Sequence, residues 1–495
     1  MPEIYRTTHN DIPVISTDVE GTLTGSVIFG VGMADEPAHL AGITHLAEHL
    51  IFRAMGDQVV SHDGVTSSHT LDFHATGTPD EVATFLNSVS STIRDPKFSE
   101  DDMRRERMVI EAERPAGFGP SAGLLTYRYG FGGAGKSHAG VPTLASLSID
   151  EVREWIRTWF VASNARLTFT SAPPAALDVR LPEGRAPSHR QETRYLKSPT
   201  LIASQKDGVA ISLLVDENFS AWLRDALDFE LSAALRTAKG LIYSIVPELT
   251  LVEPGLDQVD LVLDPLDENL AEALELAIHT VQLTAERGFS EQSVELARSV
   301  AVGSLSQPWS WTGYVDGLAT SELVGGVVID PNEWIERSRK LDAAVLTAAL
   351  RESLDSLMVA YDSETELPEG FAEKWGLQLD EFTAGTTSNA PRRGPGRRWR
   401  GNWFSVRDWL RIDDTHVHEH IFGETTSVRL DDIAVLGDFG DGSVHFIDWR
   451  GRDAGFESML WRKGAGVIDE LKRRIPLERQ RDFSWHIRDR SASPE

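Results

Sequence analysis

A chain of 495 residues, 41% of them apolar, has room for about three domains on a norm of roughly 150 residues each, with sizeable cores. It contains no cysteine, which excludes disulfides, thiolate nucleophiles and cysteine-type metal sites and fits a reducing compartment. The formal charge of −28, from 76 acidic against 48 basic residues, argues against a general nucleic-acid binder, keeps the surface soluble and would attract basic peptides.

The first residues, Met1 to Arg6, lack the basic start and apolar core of a signal peptide, and no run approaches the roughly 18 apolar residues that a membrane span needs. The expected setting is soluble and cytoplasmic. Residues 11–34 alternate and are rich in Val, Ile, Thr and Gly, which predicts strands at 13–20 and 25–33. The apolar stretch 41–52 reads as a buried helix, and 69–76 as another strand. A helix is expected over 79–94, with proline in its first turn. Ser99 should cap a helix running to Pro115, with acidic residues in its first turn. Glycine-rich loops fill 117–140, a helix covers 149–159 and a strand 165–170.

Proline and arginine enrichment at 173–195 marks a linker. The first unit is therefore 1–172, the linker 173–199, and a second unit 200–385. That second unit repeats the order of the first: a strand at 209–215, a helix at 221–238, strands within 241–263 and helices at 268–286 and from 290. Similar length and element order suggest an internal duplication. The Pro/Arg/Gly run 386–400 reads as a second linker. The tail 401–495 has short strands and an amphipathic helix at 464–474, which would suit a small α+β or pleckstrin-homology-like module. The expected class is α+β.

The helix at 41–52 carries His45-Leu46-Ala47-Glu48-His49. Residues four apart share a helix face, so both imidazoles can bind one metal ion with the Glu48 carboxylate beside it. H-x-x-E-H is a zinc peptidase signature. A catalytic zinc takes three protein ligands and keeps one position open, so a third ligand is needed. The helix from Ser99 offers Glu100, Glu106, Glu111 and Glu113. Glu113, close to the helix end, reaches across most easily. Glu106, seven residues earlier on the same face, is expected to support a histidine.

Residues 42–53 and 105–113 resemble the pitrilysin, insulysin and mitochondrial processing peptidase family, the inverzincins. The resemblance implies zinc on His45, His49 and Glu113, with Glu48 as general base and Glu106 in support. It continues at 140–164, which is similar to the end of the family's first domain. Leu235-Arg236-Thr237-Ala238-Lys239-Gly240-Leu241-Ile242-Tyr243 resembles the family's arginine–tyrosine motif, and implies that Arg236 and Tyr243 steady the peptide carbonyl. The implied fold is two similar sheet-plus-helix domains forming half a clamshell. The opposite half would be another subunit of a homodimer or of a heterodimer with a related chain, so Arg236 and Tyr243 would act in trans. Two departures stand out. The span from His49 to Glu113 is shorter than the family's, and the family's Asn-Ala edge-strand signature appears only as Asp63-Gly64.

These residues imply a zinc metalloendopeptidase acting on peptides or extended segments. The alternative is a non-catalytic or partner-dependent subunit that serves as a peptide-binding scaffold. A second literal H-x-x-E-H, His416-Val417-His418-Glu419-His420, lies in strand and turn sequence. There His416, His418 and His420 share a face and Glu419 points away, so a solvated strand face is expected. His69 and His74 match no ligand position and are read as strand residues.

Overall fold

The computed structural model describes residues 2–113, 123–139, 141–189, 193–196, 199–204, 208–307, 309–380, 382, 386–403 and 406–484. The first unit holds β1 (Tyr5–His9), β2 (Ile12–Ser16), β3 (Leu23–Phe29), α1 (Ile43–Met55), β4 (Ser61–Thr66), β5 (Leu71–Gly77), α2 (Pro79–Arg94), α3 (Glu100–Glu113), α4 (Leu124–Tyr129), α5 (Lys136–Ala139), α6 (Ile149–Trp159) and β6 (Ala165–Phe169). Its six strands run in the order β1-β2-β6-β3-β5-β4. The helix ends are written in the sequence: Thr78 and Ser148 form capping boxes with Glu81 and Glu151 at the starts of α2 and α6.

In the second unit come β7 (Thr200–Ser204), β8 (Val209–Asp216), α7 (Ser220–Leu231), β9 (Ile242–Glu253), β10 (Leu256–Pro265), α8 (Leu270–Arg287), α9 (Glu291–Ser304), α10 (Ser310–Val324), α11 (Pro331–Arg339), α12 (Ala343–Ser353), β11 (Met358–Asp362), α13 (Phe371–Lys374) and β12 (Gln378–Asp380). Its sheet order is β12-β7-β11-β8-β10-β9. From the second position on, the two sheets match: a parallel pair (β2 with β6, β7 with β11) followed by three antiparallel ones. In this matching β9 is the counterpart of β4, and each is an edge strand.

Each sheet packs its own helices on one face and borrows a helix from the other unit for the opposite face. Val315, Leu318 and Ala319 of α10 pack on Ile15 and Ile28 of the first sheet. Leu124 and Tyr127 of α4 pack on Ile202, Ala210, Met358 and Ala360 of the second. Arg128, 1% exposed, donates to Gln258 Oε1 at 2.9 Å, the Ser356 carbonyl at 2.8 Å and Ser212 Oγ at 3.0 Å. A buried guanidinium so fully hydrogen-bonded fixes α4 on the partner sheet.

The third unit comprises β13 (Thr386–Thr387), β14 (Arg397–Arg400), β15 (Trp409–Ile412), β16 (His416–Ile421), β17 (Glu424–Arg429), β18 (Ile433–Asp438), β19 (Ser443–Asp448), β20 (Asp453–Glu457), α14 (Ala465–Arg474) and β21 (Gln480–Asp482). They form a five-stranded and a four-stranded sheet around one core that includes Trp399, Leu410, Phe446 and Leu471. This unit docks on the first: Ala434 and Val435 pack with Ala38, Ala41 and Phe131, and Arg481 pairs with Glu151 at 3.1 Å.

The structure corrects three expectations. Residues 124–129 and 136–139 are helical, although glycine-rich sequence suggests loop; the apolar run Leu124-Leu125 and Tyr127 is drawn into the sheet of the other unit. Residues 397–400, expected within a linker, are a strand, because Trp399 is 4% exposed in the core of the third unit. The helix expected at 221–238 changes at its end to a π-helical turn over Ser232–Thr237. The expected helix end at Pro115 and the first part of the 117–140 stretch lie outside the described residues.

Candidate metal centre

Helix α1 is held by its apolar face. Ile43, Leu46, Leu50 and Ile51 are all 0% exposed, each burial contributing about 1.5–3 kcal/mol. The buried carboxylate of Glu36 accepts the Gly42 and Thr44 backbone N–H groups at 2.7 and 2.9 Å, fixing the helix start. His45 and His49, one turn apart, therefore project from a helix with little freedom to rotate.

Their Nε2 atoms are 3.1 Å apart. Glu113 Oε2, at the end of α3, lies 3.5 Å from His45 Nε2 and 3.4 Å from His49 Nε2. Tetrahedral zinc with bonds of 2.0–2.1 Å sets its ligand atoms about 3.3 Å apart, so this triangle fits the ion. The donor set fits as well: two imidazole nitrogens and one carboxylate oxygen leave a fourth position for water or substrate. Burial pushes the His45 imidazole down to about 4, with His49 beside it adding to the effect, so the ring is neutral, as a ligand must be.

Glu106, 7% exposed, stands behind the triangle. His49 Nδ1 lies 3.1 Å from Glu106 Oε2, and Arg53 Nη1 donates to Glu106 Oε1 at 2.8 Å. Arg53 Nε in turn donates to Asp102 Oδ1 at 2.6 Å. With Nδ1–H donated to a carboxylate, the His49 Nε2 lone pair faces the Glu113 oxygen side of the site. Arg53 and Asp102 were not singled out from the sequence. The signal was present, because Arg53 is four residues after His49 and Asp102 four before Glu106.

Glu48 is 5% exposed and accepts a hydrogen bond from Thr66 Oγ1 at 2.6 Å. Burial raises its carboxyl to about 7; the Thr66 hydroxyl opposes this, and Asp72, Asp63 and Glu113 add to it. A cavity of about 440 Å³ opens here, walled by His45, Glu48, His49, Phe52, His62 and residues 63–64, with Glu113. Edge strand β4 forms one side of it. A Cβ on Gly64 would sit 2.8 Å from Glu48 Oε1 and 2.6 Å from Phe52 Cε2, so the backbone of β4 comes against the site only with glycine there.

Arg236 and Tyr243 stand apart from this cavity. Arg236 is exposed on the π-helical turn and Tyr243, 76% exposed, on edge strand β9. Their side chains make no hydrogen bond or ion pair with the described residues. His74, on β5, pairs with Asp72 at 2.7 Å. The expectation of His69 as a strand residue is corrected: it lies in the bend before β5, where its Nε2 is 3.1 Å from the Val252 carbonyl.

Asp413, His416 and His418 also lie close enough to share an ion. The polar side-chain atoms of Asp413 and His418 are already engaged. Asp413 Oδ2 accepts from Arg411 at 2.8 Å and lies 2.9 Å from His418 Nε2, while Oδ1 accepts from the backbone of Thr415 and His416. His418 Nδ1 is 2.6 Å from Ser427 Oγ. The adjacent buried guanidinium opposes a second cation. The solvated strand face expected here is corrected: His418 is 8% exposed, because this network satisfies both of its nitrogens.

No known family model matches the chain, and no curated protein matches it by sequence. Solved structures do match by shape. A protease from Helicobacter pylori aligns over 73% of this chain and 99% of its own, with TM-score 0.59 and 14% identity. A peptidase M16 inactive domain from Pseudomonas fluorescens aligns over 74% and 100%, with TM-score 0.57 and 13% identity. The periplasmic protease PqqL from Escherichia coli aligns over 89% of this chain and 56% of its own, with TM-score 0.58 and 11% identity. Among the described residues no helix is long and apolar enough to cross a membrane. The chain has the fold of an M16 peptidase half, two sheet-plus-helix domains, followed by a small β-rich domain with one helix.

Proposed function

We propose that the chain is a zinc metalloendopeptidase acting on peptides or extended polypeptide segments. The observation that carries this reading is the triangle of His45, His49 and Glu113, with sides of 3.1, 3.4 and 3.5 Å, closed beside a buried Glu48. A bound zinc ion supplies Lewis acidity, which acidifies water and polarises a carbonyl. Glu48 takes the proton of the attacking water and delivers it to the leaving amine. Its elevated proton affinity suits both transfers. Glu106 and Arg53 hold the His49 ring in the ligating tautomer. A substrate strand laid along β4 hydrogen-bonds to main-chain groups, which tolerates varied side chains.

Arg236 and Tyr243 are the donors for the substrate carbonyl or the developing oxyanion. Their exposure outside the cavity walls supports delivery from a second subunit, in a homodimer or in a heterodimer with a related chain. The same observation supports the second reading, a partner-dependent or non-catalytic subunit that binds peptide as a scaffold. The third unit serves as an accessory domain. Two strand meanders, β14 to β17 and β18 to β20, followed by α14 support a pleckstrin-homology-like assignment. The absence of cysteine supports a cytoplasmic setting. Elemental analysis of the purified protein tests the first step: about one zinc per chain is expected, and none in His45→Ala. Full metal occupancy in that variant overturns the ligand assignment.

A further inference from the structure

A second cavity, of about 630 Å³, opens in the third unit between the β14–β15 connection, the β16–β17 turn and residues 460–461. Val406, Ile421, Leu460 and Trp461 make its walls apolar. One carboxylate stands among them. Asp408 is only 9% exposed, lines the cavity, and its side chain has no hydrogen-bond or ion-pair partner among the described residues. Glu419, on β16 across from Leu410, is part-buried and equally without a partner. Burial and the charge of Asp408 push its carboxyl up to about 7. Arg407 also lines the cavity, yet it is exposed and pairs with neither acid. A carboxylate set among apolar walls is poorly solvated, and a cation that reaches it through the cavity mouth gains from that.

We propose that this cavity binds the side chain of a lysine or arginine carried by a polypeptide, its cationic head on Asp408, within electrostatic reach of Glu419, and its methylene stem along Val406, Ile421 and Trp461. Such side chains combine an apolar stem with a charged head, and the cavity combines apolar walls with the single carboxylate of Asp408. A divalent cation fits less well, since calcium takes six to eight oxygens and these walls are mostly carbon. The exposed rings of Phe422 (96%) and Trp403 (79%), on the two segments that frame the cavity, offer contact to residues flanking the basic one. This site is independent of the hydrolase reading, because a chain that cleaves nothing would still bind here.

Fluorescence anisotropy tests it, using the full chain carrying Glu48→Gln and a labelled Gly-Leu-Lys-Leu-Gly peptide. Arginine in place of lysine should bind as well. Norleucine, which keeps the stem and removes the charge, should bind at least about tenfold more weakly. Asp408→Asn with Glu419→Gln should bring the lysine peptide down to the norleucine level with zinc content unchanged. Should that double variant fail to fold, Val406→Lys, at an exposed wall position, supplies a competing cation and should abolish binding. Equal binding of lysine and norleucine peptides, absence of saturable binding, binding that survives these substitutions, or calcium chloride alone binding in an Asp408-dependent way would each overturn the proposal.

Discussion

The Nδ1 atom of His49 lies 3.1 Å from Oε2 of Glu106, and the other oxygen of that carboxylate is held by Arg53 at 2.8 Å. Ligand, orienting carboxylate and arginine thus form one chain across α1 and α3. Removal of an outer partner of this kind costs about 10–100-fold in metal affinity. Glu106→Gln and Arg53→Ala should weaken zinc binding by that order while leaving the fold intact, as read by competition with a chelator. Wild-type zinc affinity in both variants would separate Glu106 from the metal site.

Gly64→Ala probes the edge strand. The added methyl meets Glu48 Oε1 and Phe52, both of which can shift, so the fold should survive with a small change in Tm. The displaced Glu48 should lower kcat about tenfold or more, since a misplacement of about 1 Å at a reacting group costs up to 10²-fold. An unchanged kcat would show that β4 does not set the position of the base.

How much of this was legible in the sequence depends on where each signal lies. His45, Glu48 and His49 sit within one helical turn, so a local pattern nominates them, while Glu113 comes from a second helix whose start Ser99 marks and is singled out from Glu100, Glu106 and Glu111 by its place near the helix end and by the family resemblance. The helices 79–94 and 149–159 match their expected bounds because capping boxes mark their starts. Strand β4 is legible only through the family resemblance at Asp63-Gly64, because Ser61-His62-Asp63 is polar and exposed and shows no apolar alternation. Helix α4 was hidden for a different reason: its apolar residues pack on the other unit's sheet, a contact without local trace. Asp408 reads as an ordinary surface acid until the fold sets it among the apolar walls of a cavity.

The Arg53–Asp102 pair gives stability a pH signature. Hydrogen bonds from Arg53 and from Ser99 depress the Asp102 carboxyl from 3.8 to about 2. A depressed folded-state value means that stability is present above the unfolded value near 3.8 and is lost as pH falls through about 2. Asp102→Asn should therefore lower the urea midpoint at pH 7 by an amount worth at most about 1 kcal/mol, since the pair is partly solvated. The gap to wild type should close between pH 4 and pH 2. A gap that stays constant over that range would contradict the ion-pair origin.

Arg236 and Tyr243 act in trans on this account, which a mixing experiment can read. Glu48→Gln and Tyr243→Phe should each be inactive as homomers. After subunit exchange, half of the dimers are mixed and each mixed dimer has one intact site, so activity should return to about a quarter of wild type. No recovery after demonstrated exchange would place the pair in cis or outside the reaction.

The most direct test of the central claim is the turnover of a quenched fluorescent peptide library by the zinc-loaded chain and by Glu48→Gln with equal zinc content. Cleavage by the wild type is expected, with a loss of at least about a thousandfold in the variant, because the base is gone while the ion and its three ligands remain. Cleavage by Glu48→Gln at the wild-type rate would contradict the claim.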